Sequence, residues 1–285
     1  MVDNSKHIMI RKASGEMEAF DPIKLLRSLN SAGADEQIAH QILLDIEPSL
    51  FNGISTRKIY KKALSLLRQK LKSSAIRYRI KDALMELGDS GHPFEVFTGE
   101  IYKHLGYAVK TAIVVEGKSI THEMDVIATS DNTQQLIECK YSKLQGKYIS
   151  IQVPLYVYSR VNDIIAYRSK LEKYNGFSFT AGVATNTRFS PDCIKYASDY
   201  GIHLLSWNYP EGKSLREIIH KEHILPITIL STLNQHEKEY LISHDIVTCE
   251  QLLQNNSILT EMGLSRRKMQ TVRIELDTTM EQKVN

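Results

Sequence analysis

Cysteine is nearly absent. Cys139, Cys193 and Cys249 stand alone, far apart and odd in number. They form no CxxC pair and no disulfide framework, which excludes a small disulfide-stapled scaffold, argues against a cysteine-built zinc site and suits a reducing cytosol. Long apolar runs are missing too: none reaches the ~18–20 residues that span a bilayer. The opening MVDNSKHIMIRK has no apolar stretch of the kind a secretory signal carries. We therefore expect a cytoplasmic protein with no membrane partner. No GxxxxGK[ST] occurs, so a P-loop ATPase is excluded, and repeats and low-complexity tracts are absent.

What is present is an ordinary globular balance, 42% hydrophobic and 24% charged. The net charge of +3 hides a gradient. Ser55–Lys81 carries ten Lys/Arg and no acid, with Lys58, Lys61, Lys62, Arg68, Lys72, Arg77, Arg79 and Lys81 at helical spacing. Such a run fits a solvated face, and it also fits a polyphosphate partner, nucleotide or nucleic acid.

The pattern divides the chain into residues 1–90, 91–220 and 221–285. In the first, short strands over His7–Lys12 and Glu18–Phe20 flank a turn at Gly15. Asp21-Pro22 then opens a helix ended by Gly33, and helices follow over Ala34–Phe51, Ser55–Leu71 and Ser73–Leu87. Gly88–Pro93, dense in turn formers, reads as a linker. Beyond it come a helix over Phe94–Leu105 and strands at Tyr107–Val115, Met124–Ala128 and Leu136–Cys139. Next are a helix over Ile149–Arg168 with Pro154 in its first turn or at a kink, a strand at Ala181–Ala184, a helix at Asp192–Tyr200 and a strand at Ile202–Ser206. This is a multi-domain α/β chain with a mixed central sheet. The last part has no strand-like run and reads as helices Gln235–Ser243, Cys249–Gln254 and Arg266–Leu276.

The densest chemistry lies between His122 and Lys140. If Asp131-Asn132 is a two-residue hairpin tip, Asp125 faces Glu138, and Lys140 projects on the same side as Glu138. Facing carboxylates either raise one pKa or hold a cation, and their hard oxygens suit Mg²⁺ or Mn²⁺. A lysine beside a metal-activated water can position it and neutralise charge developing on a phosphate. The same residues also fit a salt-bridged hairpin in which Lys140 merely neutralises the acids. His122 reads as a surface histidine.

Asp125 followed by Glu138-Cys139-Lys140 resembles the D…(D/E)xK motif of PD-(D/E)XK nucleases, closest to Mrr-like restriction endonucleases. Gly91–Phe97 leading to Glu100, and the tail from Ala184-Thr185-Asn186-Thr187 to Trp207, extend the likeness over about residues 91–210. The resemblance implies a restriction-endonuclease-like sheet flanked by helices. It assigns the metal to Asp125, Glu138 and Glu100, the attacking water to Lys140 and an auxiliary polar role to Gln152.

In the N-terminal part, Ile8-x-Ile10-Arg11-Lys12-x-x-Gly15-x-x-Glu18-x-Phe20-Asp21-x-x-Lys24 and Asn52-Gly53-Ile54-Ser55-Thr56 resemble the ATP-cone, a nucleotide-binding module. On that resemblance Lys12 and Lys24 reach phosphates, and Thr56 lies at a helix start that favours anions. Glu18 and Asp21 hold hydroxyls or a nucleotide-bound Mg²⁺, while Arg11 and Lys81 add to the site. ATP or dATP is then an effector rather than a fuel. At the other end, Met262-Gly263-Leu264-Ser265-Arg266-Arg267-Lys268 resembles a helix-hairpin-helix, with Arg266, Arg267 and Lys268 on nucleic acid backbone. A packing or dimerisation module is the competing reading of this end. The whole then reads as a metal-dependent endonuclease, acting on DNA, forming a homo-oligomer and regulated by nucleotide. A nucleotide-responsive nucleic-acid-binding regulator with an inactive nuclease fold is the alternative, and a purely structural adaptor a third.

Overall fold

The computed structural model describes residues 8–144 and 146–280, without the side chains of Lys72 and Ser73. His7, expected in the first strand, and the Lys72 side chain of the basic run lie outside what is described. The chain forms two compact units, Met1–Ala83 with Arg273–Asn285, and Leu84–Val272.

The first unit opens with β1 (Met9–Arg11) and β2 (Met17–Ala19), followed by α1 (Pro22–Ser31), α2 (Glu36–Ile46), β3 (Ile54–Ser55), α3 (Thr56–Lys70), α4 (Lys72–Tyr78) and α5 (Ile80–Met85). Asp21 caps α1 by accepting the Ile23 N–H at 2.9 Å. Gly33 follows its end at φ +87°, a conformation only glycine adopts cheaply, and an added Cβ would come within 2.9 Å of Arg77 Nη1. The sheet order is β2-β1-β3, with β3 parallel to β1. The sequence reading missed β3 because two residues are too few for a periodic signal. It also ran Ser73–Leu87 as one helix, which breaks at Arg79 into α4 and α5. Leu29, Ala39, Ile42, Ile46, Ala63 and Leu67 form the core.

The second unit continues with α6 (His92–His104), β4 (Ala108–Glu116), β5 (Thr121–Ser130), β6 (Thr133–Lys140), β7 (Tyr148–Ile149), α7 (Gln152–Arg168), β8 (Ser178–Thr185), β9 (Arg188–Phe189), α8 (Pro191–Asp199) and β10 (His203–Leu205). The helices α9 (Leu215–Glu222), α10 (Gln235–Ser243), α11 (Cys249–Gln254), α12 (Ile258–Glu261) and α13 (Arg266–Met280) complete the chain. The short pair β7–β9 and the helices α9 and α12 were not foreseen. The main sheet has the order β10-β8-β6-β5-β4, antiparallel through β4, β5 and β6 and parallel through β6, β8 and β10. It is the mixed sheet expected. One face of it packs Met124, Leu136, Val183, Val157, Val161 and Ile164 between sheet and α7. Pro154 falls in the first turn of α7, where its missing N–H costs nothing. No helix among the described residues is long and apolar enough to cross a membrane.

Candidate active site

The β5–β6 hairpin has the register that a two-residue tip demands. Val126 pairs Ile137 and Ser130 pairs Thr133, with Asp131 at φ +47° in the turn. One step beyond the last pair, Asp125 and Glu138 stand opposite. The Asp125 carboxylate accepts the Cys139 N–H at 2.6 Å, which locks it against the Glu138–Lys140 segment. Lys140 Nζ donates to Glu138 Oε1 at 2.6 Å, as alternation on one strand requires. Thr185 Oγ1 donates to the Lys140 carbonyl at 2.6 Å and fixes the end of β6 against β8.

The other neighbour of Asp125 is unusual. The β4–β5 ladder pairs Thr111 with Val126 and Ile113 with Met124, and skips the intervening Ala112. Ala112 has φ +48°, a strained left-handed conformation for a residue with a Cβ. Asp125 therefore sits where pairing is interrupted on both sides, and nothing in the sequence signals this break.

Burial, then the charge of Glu138, pushes the Asp125 carboxyl up to about 7, against the lowering effect of the Cys139 N–H; Glu95 adds to the rise. Glu95 is itself raised, chiefly by burial, with His92 opposing and the charges of Glu123 and Glu138 contributing. Burial alone would lower the Lys140 ammonium, but its hydrogen bonds to Glu138 and Tyr156 raise it, so it stays charged. Around Asp125 the like charges of Glu138 and Glu95 are opposed by the charge of Lys140.

Glu95, not Glu100, is the helix acid in this field. Five residues along a helix turn a side chain roughly 140° away around the axis. Glu100 pairs with Lys103 at 2.6 Å and lines a separate polar cleft of about 370 Å³ with His104, Glu250, Gln251 and Gln254. The structure thus brings Glu95 into the charge environment of Asp125 and pairs Glu100, the helix acid the resemblance implies, with Lys103 instead. Gln152 is exposed at the first position of α7, on the same helical face as Tyr156 and Arg160, one and two turns on. Those two touch Glu138 directly: Tyr156 donates its hydroxyl to Oε1 and Arg160 Nη1 reaches Oε2 at 2.7 Å. The sequence reading missed Glu95, Tyr156 and Arg160. The Gln152-x₃-Tyr156-x₃-Arg160 spacing on α7 was the available signal. His122 proves buried, not superficial; its Nε2 lies 2.9 Å from Asp163 Oδ2 and ties the β4–β5 turn to α7.

Among the described residues no three His, Cys, Asp or Glu side chains are drawn tightly enough to cage an ion by themselves. Asp125, Glu138 and Glu95 offer only carboxylate oxygens, the hard donors that suit Mg²⁺ or Mn²⁺.

In the first unit, the Glu18 carboxylate holds the ammonium groups of both Lys12 and Lys24, and their hydrogen bonds hold it down to about 2. Arg11 pairs with Ser55, the N-cap of α3, and Thr56 is the first residue of that helix. Lys12, Glu18, Lys24, Arg11 and Thr56 thus belong to adjoining elements. Asp21 spends one oxygen on the α1 cap, and Lys81 lies on α5. In the C-terminal helices Arg266 and Arg267 are exposed at the start of α13. Lys268, next to them, pairs with Glu237 at 2.5 and 2.7 Å, its side chain still 31% exposed.

Comparison with known proteins gives residues 8–90 as an ATP cone domain, confirming the N-terminal resemblance. Residues 225–278 match the family described as AF1548-like, C-terminal. An uncharacterized protein of Archaeoglobus fulgidus is 32% identical over 168 residues, spanning 59% of this chain and 90% of that protein. The crystal structure of the protein of unknown function AF1548 superposes with a TM-score of 0.56 at 27% identity, covering 67% of this chain and 99% of that one. MspJI restriction endonuclease bound to a 27-mer oligonucleotide reaches a TM-score of 0.29 at 11% identity, over 70% of this chain and 41% of that one.

Proposed function

Starting from a chain that belongs to the family of the uncharacterized Archaeoglobus fulgidus protein, we propose a PD-(D/E)XK-type, metal-dependent endonuclease acting on DNA under the control of ATP or dATP on its ATP cone. The observation that supports this reading is the convergence of Asp125, Glu138 and Lys140 at a break in the sheet, with Glu95 in their field. Asp125, Glu138 and Glu95 would hold Mg²⁺ or Mn²⁺. When bound, that ion supplies a water of lowered pKa and stabilises charge on the scissile phosphate. Lys140, charged and anchored on Glu138, orients the attacking water for in-line displacement. Arg266 and Arg267 contribute backbone contacts that hold the nucleic acid without reading its sequence.

Supercoiled plasmid with Mg²⁺ or Mn²⁺ tests the proposal. Wild type is expected to nick it and Lys140→Ala to lose nicking. No nicking by wild type across metals and nucleotides would favour the second reading, a nucleotide-responsive nucleic-acid-binding regulator with an inactive nuclease fold. One observation speaks for that reading: both oxygens of Glu138 are already taken by protein donors.

The ATP cone senses rather than hydrolyses, and an effector alters activity only by binding two states differently. Nucleotide phosphate competes with Glu18 for Lys12 and Lys24. Lys12→Ala is expected to weaken ATP binding roughly tenfold, the loss of one charge-assisted contact, read as a smaller thermal shift at fixed ATP. An unchanged shift would remove Lys12 from the site.

A further inference from the structure

The candidate centre contains a cation for which the proposed hydrolysis has no use. Arg160 donates from Nη1 to Glu138 Oε2 at 2.7 Å and from Nη2 to the Glu123 carbonyl, with its guanidinium 5.7 Å from the Tyr156 ring centroid. The opposite oxygen, Oε1, takes both Lys140 Nζ at 2.6 Å and the Tyr156 hydroxyl. Glu138 is only 5% exposed, so these three donors largely replace its water. Asp125, by contrast, accepts the neutral Cys139 N–H. Both cations bond Glu138 directly, whereas Lys140 acts on Asp125 only through its charge.

A divalent ion shared by Asp125 and Glu138 needs a free oxygen on each, at ~2.0–2.1 Å for Mg²⁺. A guanidinium on the same carboxylate would then stand beside a dication in a poorly solvated site, where repulsion is strong. The two cations are alternatives. Arg160 also has somewhere to go: its side chain is 24% exposed, and its planar donors match a phosphate as well as they match a carboxylate.

We propose that Arg160 is a latch on this centre, holding Glu138 in place of the divalent ion and releasing it when the ion loads, so that its freed guanidinium faces the incoming phosphate. This rests on the metal-dependent reading above and adds a regulated step to it. Arg160 acts as a positioning residue until it swings to substrate, and the metal-free protein keeps its acids paired rather than splayed by repulsion.

Manganese titration by calorimetry, on the full chain without nucleic acid, tests the latch in wild type, Arg160→Gln and Tyr156→Phe. With the competing cation gone, Arg160→Gln is expected to bind Mn²⁺ roughly tenfold more tightly while its melting temperature falls. Tyr156→Phe, which keeps the ring and removes one donor, is expected to shift affinity the same way by about threefold, and it supplies the comparison if Arg160→Gln does not fold. A purely structural arginine would lower the melting temperature and leave the affinity unchanged or weaker. That result, with wild type binding Mn²⁺, overturns the latch alone. Failure of all three proteins to bind Mn²⁺ overturns the metal site and the latch with it.

Discussion

Asp125→Asn is expected to stabilise the protein at pH 8 while removing the nicking proposed above. Burial and the charge of Glu138 raise the Asp125 carboxyl from its ordinary 3.8 to about 7. Below pH ~4 the carboxyl is protonated in folded and unfolded chains alike, and no penalty exists. Between about 4 and 7 the unfolded chain releases the proton while the folded one retains it, so stability falls as pH rises. Above about 7 the whole penalty is present. Asparagine never carries it and keeps an oxygen for the Cys139 N–H. Because Asp125 is only partly buried, the gain at pH 8 is discounted to on the order of 1–2 kcal/mol, vanishing towards pH 4. Urea melts at the two pH values measure it, and a loss of stability at pH 8 would refute the electrostatic picture. Cleavage should fall by roughly 10³-fold or more, since the ion loses a charged ligand. In wild type, Mn²⁺ affinity should climb as pH rises through about 7 and then level, because the protonated carboxyl does not ligate.

The facing acid should behave oppositely. Glu138→Ala is expected to destabilise the fold by on the order of 3 kcal/mol, because it strands Arg160 and Lys140 without the buried carboxylate that both contact. Glu138→Gln keeps the acceptor without the charge and should lose less. A lowered urea midpoint with an unchanged slope would mark a true stability loss rather than a changed unfolded state. Equal midpoints for wild type and Glu138→Ala would mean that the three donors contribute nothing net. Two carboxylates of one hairpin, opposite in sign of effect, would separate a strained functional group from a satisfied structural one.

Much of this site was legible from residue order. The two-residue tip at Asp131-Asn132 set the pairing, and pairing with alternation brought Asp125, Glu138 and Lys140 together. Residue order does not distinguish Glu95 from Glu100, since both lie on α6 and only packing decides which of them enters the field of Asp125. Tyr156 and Arg160 reach Glu138 from 18 and 22 residues away, across a boundary that no local pattern spans. Within the basic triplet Arg266–Lys268, only the packed structure shows that Lys268 pairs with Glu237, 31 residues away.

By itself the sequence determined the local geometry: helix caps at Asp21 and Ser55, the Gly33 stop, the hairpin register and the composition of the acidic cluster. These depend on neighbours a few residues apart, whose preferences survive in isolation. Tertiary structure alone decided the broken pairing at Ala112, the inward turn of Glu95 and the arginine seated on Glu138. Each of those needs a partner brought from elsewhere in the chain, and burial, which fixes the price of a charge, exists only after the sheet and helices have packed.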